Sequence, residues 1–113
     1  MNTMVDIIAK KHSVLVDLCR RCRVHRLYLF GSATGDQFDS ARSDLDFLVS
    51  FSDRQPTGDY ADRHLDFADG LEHLFGRSVD LITEQSIQNP YFRQEVEATR
   101  QLLYEQPNTK TTL

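Results

Sequence analysis

The chain has 113 residues, enough for one domain with a modest hydrophobic core but not for a second substrate-binding domain. Its formal net charge is −4 and its densest basic group is only Arg20, Arg21 and Arg23, which disfavours direct binding of nucleic acid. No signal peptide is visible and no apolar run approaches the roughly 20 residues of a membrane span, so we expect a cytoplasmic protein without membrane contact.

The first segment, from Met4 to Cys22, has apolar residues at helical spacing and predicts one amphipathic helix that packs on a sheet. Cys19 and Cys22 have the spacing of a redox pair or of half a zinc site. No second cysteine pair accompanies them, and two small residues three apart on an apolar helix face are ordinary packing. We therefore interpret both as core residues that stay thiols in a reducing cytosol.

The apolar run from Leu27 to Phe30 predicts a strand that is covered on both faces, and it stops abruptly at Gly31 and Ser32. Gly31 lets the backbone turn tightly or approach a ligand closely. Ser32 can cap the following segment and offer its hydroxyl and amides to a phosphate. This turn is a candidate phosphate-binding element.

A second predicted strand runs from Leu45 to Phe51 and opens with Asp44 and Asp46. Side chains alternate along a strand, so these two carboxylates point the same way with Cα atoms roughly 6.6 Å apart. Like charges at this spacing repel, and a bound divalent cation, with magnesium favoured by hard oxygen ligands, relieves the repulsion. The alternative is structural: Asp44 caps a turn and Asp46 sits at a solvated strand edge.

A helix is predicted from about Tyr60 to Phe75 after a polar linker, with its apolar face formed by Leu65, Ala68, Leu71, Leu74 and Phe75. Its acidic residues then lie on the other side, where a solvated helix face explains them better than a metal site; they are Asp62, Asp66, Asp69 and Glu72.

Gly76 ends this helix, and the predicted third strand from Arg77 to Thr83 contains Asp80. Asp80 is either a plain strand-edge carboxylate or the third acid of the site, and the upstream motif favours the second interpretation. Three carboxylates, a Gly-Ser turn and a metal suit one reaction class, the attack of a hydroxyl on the α phosphate of a nucleoside triphosphate.

Asn89 and Pro90 predict the start of a helix that ends near Thr99, and a short strand over Leu102 to Tyr104 follows it. We predict a single domain over residues 1–105 and a disordered tail over 106–113. The expected fold class is α/β (α+β), a small mixed β-sheet with helices mainly on one side.

Three short motifs, in order, resemble the signature of the minimal nucleotidyltransferases, a branch of the polymerase beta-like superfamily: Gly31-Ser32, Asp44-Leu45-Asp46 and Val79-Asp80-Leu81. The segment Asn89-Pro90-Tyr91-Phe92-Arg93 is similar to the closing part of those proteins. The resemblance implies the polymerase beta-like nucleotidyltransferase fold, ATP as substrate and one or two Mg²⁺ ions. It assigns catalysis and metal binding to Asp44, Asp46 and Asp80, and we assign nucleotide binding to Gly31, Ser32, Arg42 and Ser43.

Family members of this size are typically antitoxins encoded beside a toxin with a HEPN ribonuclease domain. The resemblance therefore implies a hetero-oligomer with a cognate HEPN-domain toxin. The leading hypothesis is that the protein transfers AMP from ATP to a hydroxyl of that toxin, a tyrosine by preference, and thereby neutralises it. The alternatives are an antitoxin of the same fold that neutralises by binding alone, and an enzyme that modifies a small molecule.

Two features depart from the family pattern. The segment from Ala33 to Ser43 is one residue longer than usual, which a surface loop absorbs for a few tenths of a kcal/mol. Thr34 also replaces an arginine that often precedes the next glycine. Either Arg42 compensates for this missing charge or the chain binds triphosphate weakly.

Overall fold

The computed structural model describes residues 4–31, 44–52 and 60–107. Within these ranges the chain forms four α-helices, one 3-10 turn over Glu84–Ser86 and four strands. The helices are α1 Met4–Lys10, α2 His12–Arg21, α3 Tyr60–Phe75 and α4 Pro90–Thr99. The strands are β1 Val24–Phe30, β2 Leu45–Phe51, β3 Val79–Thr83 and β4 Gln101–Glu105.

The strands form one mixed sheet in the order β3-β2-β1-β4. β1 is antiparallel to both β2 and β4, whereas β2 and β3 are parallel. The parallel pair is joined through α3, which is the long crossover that parallel strands require. The predicted fold class is thereby confirmed.

Successive side chains along each strand point to opposite faces of the sheet, and they contribute to two separate hydrophobic cores. The larger core includes Leu27, Leu29, Leu45, Phe47 and Val49 and packs under α1, α2 and α3. The smaller core consists of Phe30, Leu48, Ile87 and Val96, and α4 covers it. The helices thus lie mainly on one side, and α4 alone among the described helices packs on the face that also bears Asp46.

The predicted single N-terminal helix is wrong, because the segment forms two helices that meet at Lys11. Lys11 leaves helical geometry, with φ −102° and ψ 17°. Its ammonium group donates a hydrogen bond of 2.7 Å to the carbonyl oxygen of Leu74. A cation at this point is favourable because the last turn of a helix, here α3, carries unpaired carbonyls and negative dipole charge.

The inward face of α3 also differs from the prediction at Leu65, which is 61% exposed. Phe67, Leu71 and Phe75 form the buried stripe instead, at the four-residue spacing of one helix face. Leu65 lies two residues before Phe67, about 200° around the helix axis, and therefore faces outward. The four acidic residues of α3 are exposed, as predicted; they are Asp62, Asp66, Asp69 and Glu72.

Cys19 and Cys22 both belong to the larger core, which confirms that they are packing residues, and both are free thiols. Burial, with a smaller contribution from Cys22, raises the pKa of Cys19 to about 12. A thiol with this pKa stays protonated and is a poor nucleophile at neutral pH.

The C-terminal elements follow the predicted pattern. The Asn89 side chain caps α4 by accepting hydrogen bonds from the amides of Tyr91 (2.8 Å) and Phe92 (3.3 Å), and Pro90 occupies the first turn. The amide of Gln106 donates to the carbonyl of His25, so the chain is attached to the sheet up to that residue. Of the predicted tail, residues 108–113 lie outside the described residues. No helix in the described ranges is long and apolar enough to span a bilayer.

Candidate active site

The site is built at the end of β1, where Gly31 follows the last strand residue. Gly31 has φ +77°, a left-handed conformation that side chains other than glycine rarely adopt. A Cβ atom placed on Gly31 would lie 2.7 Å from Oδ2 of Asp46, well inside van der Waals contact. Gly31 is therefore required twice, once by its backbone angle and once by the close approach of the Asp46 carboxylate.

Asp46 is the next element of the site, and its position follows from strand register. It pairs with Phe30 of β1 on one side and with Asp80 of β3 on the other. Residues paired across parallel strands point to the same face, and adjacent strands are about 4.8 Å apart. The register therefore places the Asp46 and Asp80 carboxylates side by side on the face covered by α4.

Asp44 directly precedes β2 and is exposed, as is Asp80, whereas Asp46 is half-buried. The amide of Leu45 donates to the carbonyl of Ser78 at 3.1 Å, which holds the start of β2 against the segment leading into β3. The three acids consequently share one end of the parallel pair.

The electrostatics of this group are unfavourable in the absence of a cation. Burial raises the pKa of Asp46, and the nearby carboxylates of Asp80 and then Asp44 raise it further. Each of these effects disfavours the charged form of Asp46. The negative charge of these carboxylates therefore does not stabilise the fold, which is typical of functional carboxylates.

The donor set fits magnesium bound together with a substrate. Among the described residues no group of three or more ligating side chains is close enough to hold a metal ion by itself. Mg²⁺ does not require such a cage, because it is usually bound by one or two carboxylates, several waters and substrate phosphates. The carboxylates of Asp46 and Asp80, which are paired by strand register, and the nearby Asp44 could supply that kind of partial coordination.

A cleft of about 430 Å³ opens beside Asp46 and Gly31, between α4 and the end of β1. Its remaining lining is mostly apolar, with two polar residues from α4; it consists of Phe30, Phe92, Val96, Ala98, Glu95 and Thr99. The cleft therefore reaches the acids at Asp46.

Thr99, in the last turn of α4, connects this helix to the end of β1 by a hydrogen bond. Its hydroxyl accepts a hydrogen bond of 3.0 Å from the amide of Gly31 and donates one of 3.0 Å to the carbonyl of Glu95. Because the Gly31 amide is engaged in this way, Gly31 serves the site by lacking a side chain. Sequence reasoning did not identify Thr99, because a threonine at a helix end has no distinctive local pattern.

Four of the seven residues predicted for the site are described, and the structure brings them to one end of the sheet; they are Gly31, Asp44, Asp46 and Asp80. The other three, Ser32, Arg42 and Ser43, lie outside the described residues, as does Thr34. The individual roles of all seven stay predictions.

Comparison with known proteins identifies the family. The sequence model of the family described as "Polymerase beta, Nucleotidyltransferase" matches residues 14–109. That match covers most of the chain and includes all three acids and the cleft. The chain belongs to this nucleotidyltransferase family, as its motifs indicated.

Two proteins of Methanocaldococcus jannaschii, each provisionally named a protein adenylyltransferase, are similar over most of their length. One is 33% identical over 98 residues, which covers 86% of this chain and 91% of the relative. The other is 30% identical over 99 residues, which covers 86% of this chain and 94% of the relative.

Solved structures share the fold. A protein provisionally described as a minimal nucleotidyltransferase matches with a TM-score of 0.67 and 26% identity, over 84% of this chain and 91% of that chain. A chain from the complex of a tri-AMPylated Shewanella oneidensis HEPN toxin with its MNT antitoxin matches with a TM-score of 0.58 and 20% identity, over 87% of this chain and 72% of that chain. A toxin–antitoxin complex with AMP-PNP matches with a TM-score of 0.60 and 23% identity, over 84% of this chain and 73% of that chain.

Proposed function

We propose that this nucleotidyltransferase is an antitoxin that transfers AMP from ATP to a hydroxyl, preferably of a tyrosine, on a cognate HEPN-domain toxin and thereby neutralises it in the cytoplasm. The observation that supports this best is the register of Asp46 with Asp80, with Gly31 packed against Asp46. The comparisons support this choice of donor and acceptor, since related proteins are named for protein adenylylation and a complex of similar fold contains an AMPylated toxin.

In the proposed reaction the acceptor oxygen attacks the α phosphorus of ATP, the bond to the β phosphate oxygen breaks, and pyrophosphate leaves. Asp44, Asp46 and Asp80 would hold one or two Mg²⁺ ions, and bound Mg²⁺ would neutralise phosphate charge and stabilise the charge that develops on pyrophosphate. Gly31 allows the phosphates to approach the end of β1, and Ser32, Arg42 and Ser43 contribute donors to them.

The position of Asp80 suits contact with the acceptor. β3 is an edge strand of the described sheet, and Asp80 is exposed on it. A hydroxyl on a partner protein can therefore reach Asp80 from outside the sheet. Asp80 would accept the proton of that hydroxyl or help to coordinate metal near it.

The test is to incubate the purified protein and its partner toxin with α-labelled ATP and Mg²⁺. Label should appear on the toxin with the wild-type protein and not with D46N. A partner that stays unlabelled while its toxicity is still neutralised would refute the enzymatic proposal.

Neutralisation by binding alone is the second candidate, and it is favoured by Thr34 in place of the usual arginine and by the longer loop before Asp44. The double variant D44N/D46N separates the two functions in cells. An occluding antitoxin protects as well with these substitutions as without them, whereas an enzymatic antitoxin loses its protection.

A further inference from the structure

The start of β3 determines where Asp80 lies. Asp80 is the second residue of this strand and is exposed, so the position of its carboxylate depends on the strand backbone rather than on packing of its own side chain. β3 lies at an edge of the sheet and has β2 as its only neighbour among the described strands. The end of a short edge strand opens readily. The first residue of β3 must therefore be held in place if Asp80 is to stay beside Asp46.

On the side of β2, the main chain makes this connection. The amide of Leu45 donates to the carbonyl of Ser78 at 3.1 Å, just before β3 begins. Leu45 is the register partner of Val79, and in a parallel ladder such a residue bonds to the two neighbours of its partner. The amide of Val79 itself therefore faces away from β2 and is left for another acceptor.

Glu72 of α3 supplies this acceptor. Its Oε2 accepts a hydrogen bond of 3.2 Å from the amide of Val79. Its main-chain carbonyl accepts another of 2.8 Å from the amide of Gly76, the glycine with positive φ that follows the helix. Glu72 is thus bonded to both ends of the short segment that links α3 to β3, and it fixes the end of the helix relative to the start of the strand.

The interpretation of Glu72 as one of four solvated acids on α3 does not account for this contact. We propose that Glu72 is a positioning residue, an inference that rests on the proposed transfer of AMP: it holds Val79, and through Val79 it keeps Asp80 in register with Asp46. A displacement of about 1 Å at a reacting group lowers a rate by up to roughly 100-fold. A carboxylate suits this role because its hydrogen bond to an amide is stronger than that of a neutral acceptor.

The test measures amide hydrogen exchange and AMP transfer in three variants. E72A removes the acceptor, whereas E72Q removes the charge and keeps a side-chain oxygen that can accept the same bond. In the control, D69A, the same loss of charge is made at another exposed acid of α3. Exchange is followed by NMR at the amides of Val79 and Asp80 on the full chain without the partner. Transfer is followed with labelled ATP, Mg²⁺ and the partner toxin.

E72A should raise the exchange rate of the Val79 and Asp80 amides by roughly tenfold, as expected for the loss of a hydrogen bond to a charged group. It should lower kcat by a similar factor and change KM for ATP little, because Asp80 is proposed to act on the acceptor hydroxyl. E72Q should keep both exchange and kcat close to wild type, and D69A should match wild type.

Unchanged exchange in E72A would overturn the proposal. Faster exchange with unchanged transfer would also overturn it, since Glu72 would then stabilise β3 without positioning Asp80. An equal loss of activity in E72Q and E72A would assign the effect to charge and not to the hydrogen bond, which contradicts the proposal as well. If the wild-type protein transfers no AMP, the proposed function fails and the positioning role fails with it, whereas the exchange rates still show whether Glu72 holds β3.

Discussion

The amide of Gly31 and the hydroxyl of Thr99 form a hydrogen bond of 3.0 Å between residues 68 positions apart in sequence. The bond joins the end of β1, where the Asp46 carboxylate packs against glycine, to the last turn of α4. The helix that forms one wall of the cleft is thus fixed to the residue that borders the acids. The geometry of the site therefore depends on a side chain that contributes no charge to it.

Replacing Thr99 with valine tests this dependence, because valine keeps the shape of threonine and removes the hydroxyl. T99V should lower kcat/KM for ATP by roughly tenfold, as expected for a hydrogen bond worth about 1–2 kcal/mol. T99S retains the hydroxyl and should remain close to wild type. Loss of activity in T99S with T99V close to wild type, measured in the transfer assay, would show that the methyl packing of Thr99 matters and its hydrogen bond does not.

Gly31 and Gly76 offer a matched pair of substitutions. Both have positive φ, +77° and +68°, but a Cβ on Gly76 would meet nothing within 4 Å. G31A and G76A should each lower the free energy of unfolding by roughly 1 kcal/mol through backbone strain. Only G31A should lose transfer activity, because only there does the new methyl group displace Asp46. Chemical denaturation and the labelling assay measure the two effects separately.

We predict that D46N is more stable than wild type in the absence of metal, because the substitution removes one of three neighbouring negative charges. The raised pKa of Asp46 means that its charged form destabilises the fold, so the penalty is present at neutral pH and disappears as pH falls through that pKa. The gain in melting temperature of D46N over wild type should therefore be larger at pH 7 than at pH 4. D69N, a change of an exposed acid on α3, should show no comparable pH-dependent gain. The same D46N protein should be inactive, a trade-off between stability and function.

We expect the two buried thiols, Cys19 and Cys22, to react slowly with thiol reagents in the native protein. With the pKa of Cys19 raised to about 12 by burial, little thiolate exists at pH 8 and the sulfur is not accessible. Reaction of the native protein with a thiol reagent should be limited by opening of the fold, and it should become fast in denaturant. Rapid reaction of both cysteines in the native protein would contradict the packing interpretation.

Much of the architecture follows from local sequence patterns. The alternation of Leu45, Asp46 and Phe47 predicts a strand with one acidic face, and Asn89-Pro90 predicts the start of α4; both predictions agree with the structure. These features were predictable because strand alternation and helix capping depend on neighbouring residues.

Features that depend on distant residues were not predictable in the same way. The register of Asp46 with Asp80 and the hydrogen bond between Gly31 and Thr99 each join residues that are far apart in sequence. The inward face of α3 was misassigned at Leu65 because two apolar stripes compete on that helix, and only the tertiary contacts select the stripe of Phe67.

We propose that the acids at the end of the parallel strand pair drive transfer of AMP to a partner protein. Its most direct test is the intact mass of the partner toxin after co-expression with the wild-type protein, with D46N and with D80N. The wild-type protein should add the mass of one or more AMP groups to the toxin, and neither variant should add it. A toxin that has the same mass in all three cases, or one modified equally by D46N, would contradict it.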